Sequence, residues 1–271
     1  RKERIIMILF FDTETNGLWR RDLGPNHSDQ PHLVSLDFQV CDKDEKVIMQ
    51  YSSRIQPMHG GYLIPKDVEK IHGISTDIAN KTGVPCKSAL WIFQEYLERC
   101  DAIVAHNTAF DIQIMKREFE AYGIKWYEPK KTYCTMMTCK DELKLKTDHE
   151  DFKFPKLQEC FDYFFHRGIQ NYHDALLDVQ LCKELFYHLK RKGIELKGPQ
   201  DIPKELLLRI DGERYKSLVK FLKEIDATKL NEWELDFCKS VIDKLDKYDE
   251  HILLSKKQHA VLRKIYGKFN S

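Results

Sequence analysis

The segment that most constrains the fold of this chain is an apolar run that ends in two acidic residues. Residues 5–11 are all hydrophobic, and Asp12 and Glu14 follow with Thr13 between them. A run of this length is typical of a buried β-strand. Successive side chains of a strand point to opposite faces, so both carboxylates project from the same side. Two such carboxylates repel each other and are costly to bury, so the pair is either a solvated strand end or a cation site.

The segments that follow predict an α/β domain. Residues 33–40 and 47–55 alternate between apolar and polar side chains, and with the first strand they predict an antiparallel meander. Residues 102–105 predict a short buried strand, and residues 131–137 a last strand or a strand–helix junction. The predicted helices cover roughly 64–71, 88–100, 107–122, 155–166 and 175–192. This order predicts a mixed five-stranded sheet with helices on both faces.

A second region is predicted after residue 195. Residues 193–203 contain two glycines and two prolines, which is typical of a linker. Beyond them, residues 213–225, 233–248 and 256–269 predict three amphipathic helices with no strand signal. We therefore expect an α/β domain over 1–195 and a small, all-helical C-terminal appendage over 196–271.

Composition excludes several classes of protein. The 271 residues are 42% hydrophobic and 32% charged, with a net charge of +1, which predicts a soluble globular protein rather than a general polyanion binder. The eight cysteines include no Cys-x-x-Cys pair, so we expect reduced thiols in an intracellular, cytoplasmic protein. No apolar segment is long enough to predict a membrane span.

Two further acids and a histidine occupy comparable positions in the predicted elements. Asp111 opens the helix after a later strand, Asp178 lies on the long helix near 175–192, and His173 precedes Asp178 by five residues. Strand ends and helix starts are where sites assemble in α/β folds. Four carboxylates suit Mg²⁺ or Mn²⁺, and two such ions about 3.5–4 Å apart can activate a water and stabilise a leaving oxygen in phosphodiester cleavage. A histidine on a mobile loop can accept the proton of that water.

Three segments in this order resemble the motifs of a known family. They are Phe-Asp-Thr-Glu-Thr-Asn-Gly at 11–17, His-Asn-Thr-Ala-Phe-Asp at 106–111 and His-Asp-Ala-Leu-Leu-Asp at 173–178. They are similar to the three exonuclease motifs of the DnaQ-like, or DEDDh, family of 3′→5′ exonucleases, over roughly residues 5–192. Residues 64–75 are also similar to a stretch of its proofreading branch. Position 174 is Asp rather than the tyrosine of the sister branch, so the histidine branch fits better.

The resemblance implies a fold, a metal centre and a substrate site. The fold is RNase H-like, with Asp12, Glu14, Asp111 and Asp178 as ligands of two Mg²⁺ or Mn²⁺ ions and His173 as general base. The residues implied to contact the 3′-terminal nucleotide are Thr13, Thr15, Gly17, His106, Asn107 and Phe110. From the residues alone, His106 and Asn107 can equally satisfy loop backbone, and Phe110 can equally belong to the core.

These observations predict a metal-dependent 3′→5′ exonuclease that releases nucleoside 5′-monophosphates from single-stranded DNA, with proofreading as one role. The alternatives are an exonuclease for RNA or oligoribonucleotides and a non-enzymatic nucleic-acid-binding or polymerase-docking module. The C-terminal helices either dock on a DNA polymerase or other replication protein, bind DNA, or pack on the nuclease. No membrane association is expected.

Overall fold

The chain forms two compact units. Its structure is a computed structural model that describes residues 7–20, 23–57, 61–146, 152–168, 175–199, 207–209, 212–248 and 253–269. Contacts group Arg1–Trp19 with Gln30–Gln200 in one unit, and Arg20–Asp29 with Asp201–Ser271 in the other. The domain boundary expected after residue 195 stays a prediction.

The first unit has a mixed sheet flanked by helices, which confirms the predicted RNase H-like α/β fold. Its strands are β1 (Ile8–Thr15), β2 (Leu33–Cys41), β3 (Val47–Gln56), β4 (Val84–Pro85), β5 (Ala102–Ala105) and β6 (Thr132–Cys134). Its helices are α1 (Lys66–His72), α2 (Thr76–Thr82), α3 (Cys86–Arg99), α4 (Thr108–Ala121), α5 (Thr135–Leu143), α6 (Leu157–Phe165) and α7 (Ala175–Arg191). The strand order is β4-β3-β2-β1-β5-β6, so a sixth, two-residue strand joins the five expected.

Strand β1 lies at the centre of this sheet. It pairs with β2 in antiparallel fashion and with β5 in parallel. Because its side chains alternate, Leu9 and Phe11 enter a core that α3 and α4 also line, whereas Phe10 packs on the other face against Phe186 and Tyr187 of α7. The strand that carries Asp12 and Glu14 is therefore packed on both faces before it reaches them.

Two features near β3 were not expected from the sequence. Helix α2 has few apolar residues, but Ser75 caps it by accepting a hydrogen bond from the Ile78 backbone N–H at 3.1 Å. The helix ends at Gly83, and the next two residues form β4 beside the end of β3. A two-residue strand that contains proline has no periodicity from which to predict it.

The second unit is helical, as predicted. Its helices are α8 (Gly212–Glu224), α9 (Glu232–Tyr248) and α10 (Lys256–Gly267), with a 3₁₀ turn at Ala227–Lys229. Their shared core includes Leu222, Val241 and Ile265. The all-helical expectation needs one correction, because β7 (Leu207–Arg209) and β8 (Leu253–Ser255) form a short antiparallel sheet. Strands of three residues are too short to show alternation.

Two expectations from composition can be compared with the structure. All eight cysteines are buried and carry free thiols. Among the described residues, no helix combines the length and the apolar character that a membrane span requires.

Candidate active site

Three carboxylates meet where β1 ends and α7 begins. Oxygen atoms of Asp12, Glu14 and Asp178 all lie within 4.8 Å of one another, and we call these three residues the acid cluster. Asp12 and Glu14 share a face of β1 because they are two residues apart, and Asp178 is in the first turn of α7. The structure thus brings three of the four predicted acids together, and their role as metal ligands stays a prediction.

Asp111, the fourth predicted acid, is tied to the same strand. It lies in the first turn of α4 and is only 3% exposed. Its Oδ1 accepts hydrogen bonds from the Thr13 backbone N–H at 3.2 Å and from Thr13 Oγ1 at 2.8 Å. The residue between Asp12 and Glu14 therefore anchors Asp111 beside the acid cluster.

Burial and mutual repulsion hold protons on these acids. Burial, followed by the charges of Asp111, Glu14, Asp178 and Asp37, raises the pKa of Asp12 well above its ordinary value. Burial and the same kind of repulsion raise the pKa of Glu14 to about 8. For Asp111, burial raises the pKa to about 7, although the hydrogen bonds from Thr13 oppose the shift.

This arrangement fits a divalent cation. Carboxylate oxygens are the ligands that Mg²⁺ and Mn²⁺ prefer, and a cation between the acids would remove the repulsion that raises their pKa values. Asp12, Glu14 and Asp178 can hold such an ion directly, and Asp111 adds a fourth carboxylate beside them. Placing several acids close together in a half-buried site is otherwise destabilising.

The predicted general base, His173, lies outside the described residues, as does the rest of 169–174. Its role stays a prediction.

The residues expected around the 3′ end near β1 are close to the acids. Thr13 contacts Asp111, as described above. Thr15 donates a hydrogen bond from Oγ1 to the Gly17 carbonyl at 2.6 Å and so shapes the turn after β1. A Cβ on Gly17 would meet no atom within 4 Å, so there is open space beside its backbone. Their contact with substrate stays a prediction.

The residues expected near the terminal nucleotide on the β5–α4 turn are more engaged with the protein. His106 Nδ1 lies 2.9 Å from Thr135 Oγ1, and Nε2 lies 3.0 Å from the Pro155 carbonyl oxygen. Asn107 has a φ of 96°, a left-handed conformation that asparagine tolerates better than most residues. Phe110 is partly buried against the main core. His106 and Phe110 are thus engaged with the protein, and their contact with substrate stays a prediction.

The structure adds two polar residues that sequence reasoning missed. Asp37 and Ser35 of β2 face Asp12 and Glu14 across the strand pair and are 3% and 4% exposed. The alternation in residues 33–40 was the available signal, since it places both on one face. In the structure every residue of β2 is buried, including those of this polar face.

One family model and several solved structures are similar to this chain. The family model for exonucleases of the RNase T type matches residues 9–186. E. coli Exonuclease I in complex with a dT13 oligonucleotide is similar in structure, with a TM-score of 0.55 and 17% identity over 68% of this chain and 41% of that one. The zinc-bound form of the E. coli Exonuclease I complex with single-stranded DNA gives a TM-score of 0.55 and 16% identity over 83% of this chain and 46% of that one. This chain thus spans less than half the length of either. No curated protein sequence matches it.

Proposed function

Because this chain belongs to the DnaQ-like family of 3′→5′ exonucleases, we propose that it hydrolyses single-stranded DNA from the 3′ end and releases nucleoside 5′-monophosphates. The observation that carries the proposal is the acid cluster, in which three carboxylates from β1 and α7 lie within 4.8 Å of one another. Such a cluster suits an enzyme whose family depends on divalent metal ions.

In this proposal the four acids hold two divalent cations, Mg²⁺ or Mn²⁺. Asp12, Glu14 and Asp178 would hold the cations, and Asp111 would join them from α4, where Thr13 fixes its orientation. When bound, the cations activate the attacking water and stabilise the leaving 3′-oxygen. His173 accepts the proton of the attacking water as general base.

The remaining residues bind the 3′-terminal nucleotide. The backbone of Thr13, Thr15 and Gly17 receives the 3′ end in the open space beside Gly17. Asn107 and Phe110 contact the terminal nucleotide from the start of α4, and His106 orients their turn through its two ring contacts. Single-stranded DNA is supported by the E. coli structures, which hold a dT13 oligonucleotide or single-stranded DNA.

The test is trimming of 3′-labelled and 5′-labelled oligonucleotides by the 271-residue chain with Mg²⁺ or EDTA. Asp12→Asn and Asp178→Asn should lose Mg²⁺-dependent trimming, because each removes a charge that the cations need. His173→Ala should lower the rate by about a hundredfold or more while metal binding survives. Asp77→Asn is the control, since Asp77 is an exposed acid of α2. Cleavage that survives EDTA, or degradation only from the 5′ end, would contradict the proposal.

Separate experiments test the remaining expectations about the substrate and the partner. RNA as substrate is tested by matched DNA and RNA oligonucleotides, because a few contacts to the 2′-hydroxyl decide between them. A proofreading role, and docking of the C-terminal helices on a DNA polymerase or other replication protein, are tested by deleting 203–271. Docking is supported if the chain lacking 203–271 still trims DNA but no longer captures the polymerase or replication protein. Docking is contradicted if the shortened chain and the 271-residue chain both capture it.

A further inference from the structure

A row of polar side chains on β2 lies directly beside the acid cluster. Register pairs Glu14 with Ser35 and Asp12 with Asp37 across the β1–β2 ladder. Residues directly opposite in an antiparallel pair project to the same face, with Cβ atoms about 4.5–5.5 Å apart. Ser35 and Glu14 thus occupy neighbouring positions on the same face of the sheet.

The Ser35 hydroxyl is buried without a hydrogen-bond partner. Ser35 is 4% exposed, and its Oγ bonds to none of the residues that the structure describes. A buried hydroxyl with no partner costs free energy, which an alanine at this position would avoid. A residue that lowers stability in this way suggests a role in the site rather than in packing.

Among the described residues, Glu14 lacks the hydrogen bonds that Asp111 has. Asp111 receives two hydrogen bonds from Thr13, but within the described part of the chain no donor reaches the Glu14 carboxylate. Carboxylates that bind metal ions are usually held by hydrogen bonds of their own, which fix their orientation. A buried, unpartnered hydroxyl on β2 therefore lies opposite a half-buried carboxylate that accepts no hydrogen bond from the described residues.

We propose that Ser35 is a positioning residue of the metal centre, whose hydroxyl donates a hydrogen bond to the Glu14 carboxylate and holds it in the orientation that binds the cation. This inference rests on the proposed function, because Glu14 needs such positioning only if it is a metal ligand. Asp37 adds negative charge beside the same ligands.

The experiment measures Mn²⁺ binding by calorimetry on the EDTA-stripped 271-residue chain, with Ser35→Ala as the variant. We expect about tenfold weaker Mn²⁺ binding, the usual effect of removing a group that orients a ligand. The unfolding temperature of the metal-free variant should equal or exceed that of the wild type. Trimming by Ser35→Ala should approach the wild-type rate when Mn²⁺ is raised about tenfold.

Ser52→Ala is the matched control, because Ser52 is an exposed serine on the same sheet face, opposite Asp37 on β3. It should bind Mn²⁺ as the wild type does. Equal Mn²⁺ affinity in Ser35→Ala and wild type, or a lower unfolding temperature of the metal-free Ser35→Ala chain, would overturn the role of Ser35. Failure of the wild type itself to bind Mn²⁺ would instead overturn the proposed function together with this inference.

Discussion

His106 shows how one half-buried side chain connects segments that are distant in sequence. Thr135 and Pro155, which its ring nitrogens contact, are 29 and 49 residues away in sequence. Burial lowers the pKa of His106 to about 4, although the contact with the Pro155 carbonyl opposes the shift. A neutral ring suits both contacts, with Nε2–H donating to the carbonyl and Nδ1 accepting from the Thr135 hydroxyl.

The lowered pKa of His106 predicts that the stability of the protein depends on pH. Between about pH 6.5 and pH 4 the unfolded histidine takes up a proton that folded His106 excludes, so acidification lowers the free energy of unfolding, by up to about 3 kcal/mol. His106→Gln should therefore show a smaller loss over that range than the wild type. Urea unfolding at pH 4.5, 5.5 and 7 measures it, with His27→Gln as an exposed control. Parallel pH profiles for wild type and His106→Gln would refute this role.

At the same scale, the sequence predicts the acids better than their surroundings. The two-residue spacing of Asp12 and Glu14 determines their shared face, and motifs identify Asp111 and Asp178. The alternation of apolar and polar residues in 33–40 does not determine whether the polar face that includes Ser35 contacts solvent or other side chains. The partners of His106 depend on tertiary packing over tens of residues, which no local pattern encodes.

Among the elements, the junction of α2 and β3 depends on one glycine. A Cβ on Gly83 would lie 2.5 Å from both the Ala79 carbonyl oxygen and the Gln56 backbone nitrogen. The φ of Gly83 is −74°, which any residue adopts, so space alone requires glycine here. The close approach lets β4 pair with the end of β3.

Gly83→Ala should therefore lower the free energy of unfolding by about 1–3 kcal/mol, because backbone atoms must move to admit the methyl group. Gly168→Ala is the control, since a Cβ there meets nothing within 4 Å. Urea denaturation of both variants gives the comparison. If the two midpoints coincide, α2 can shift away from β3 at little cost.

At the scale of the whole molecule, the raised pKa values of the acids predict that the stability of the metal-free protein depends on pH. The pKa of Glu14 is raised to about 8 and that of Asp111 to about 7, so the folded chain keeps protons that the unfolded chain has released. Stability of the metal-free protein therefore falls as the pH rises from about 6.5 to 8. A bound divalent cation takes the place of those protons and stabilises the folded state.

The rise in unfolding temperature on adding Mg²⁺ should accordingly be larger at pH 8 than at pH 6.5. Differential scanning fluorimetry with Mg²⁺ or EDTA at both pH values measures it. The Asp12→Asn, Asp178→Asn double variant should lose most of the Mg²⁺ effect. A Mg²⁺ effect of the same size at both pH values would argue against a cation site at these acids.

The position of β1 in the chain has a consequence for biosynthesis. Ile8 of β1 pairs with Ala102 of β5, and Asp12 lies close to Asp178 of α7. Strand β5 and helix α7 are therefore both synthesised long after β1. The first acids leave the ribosome with no partners, and the site closes only when most of the chain has emerged. On the proposed function, a nascent chain that has not yet reached α7 cannot degrade nucleic acid, because it lacks Asp178.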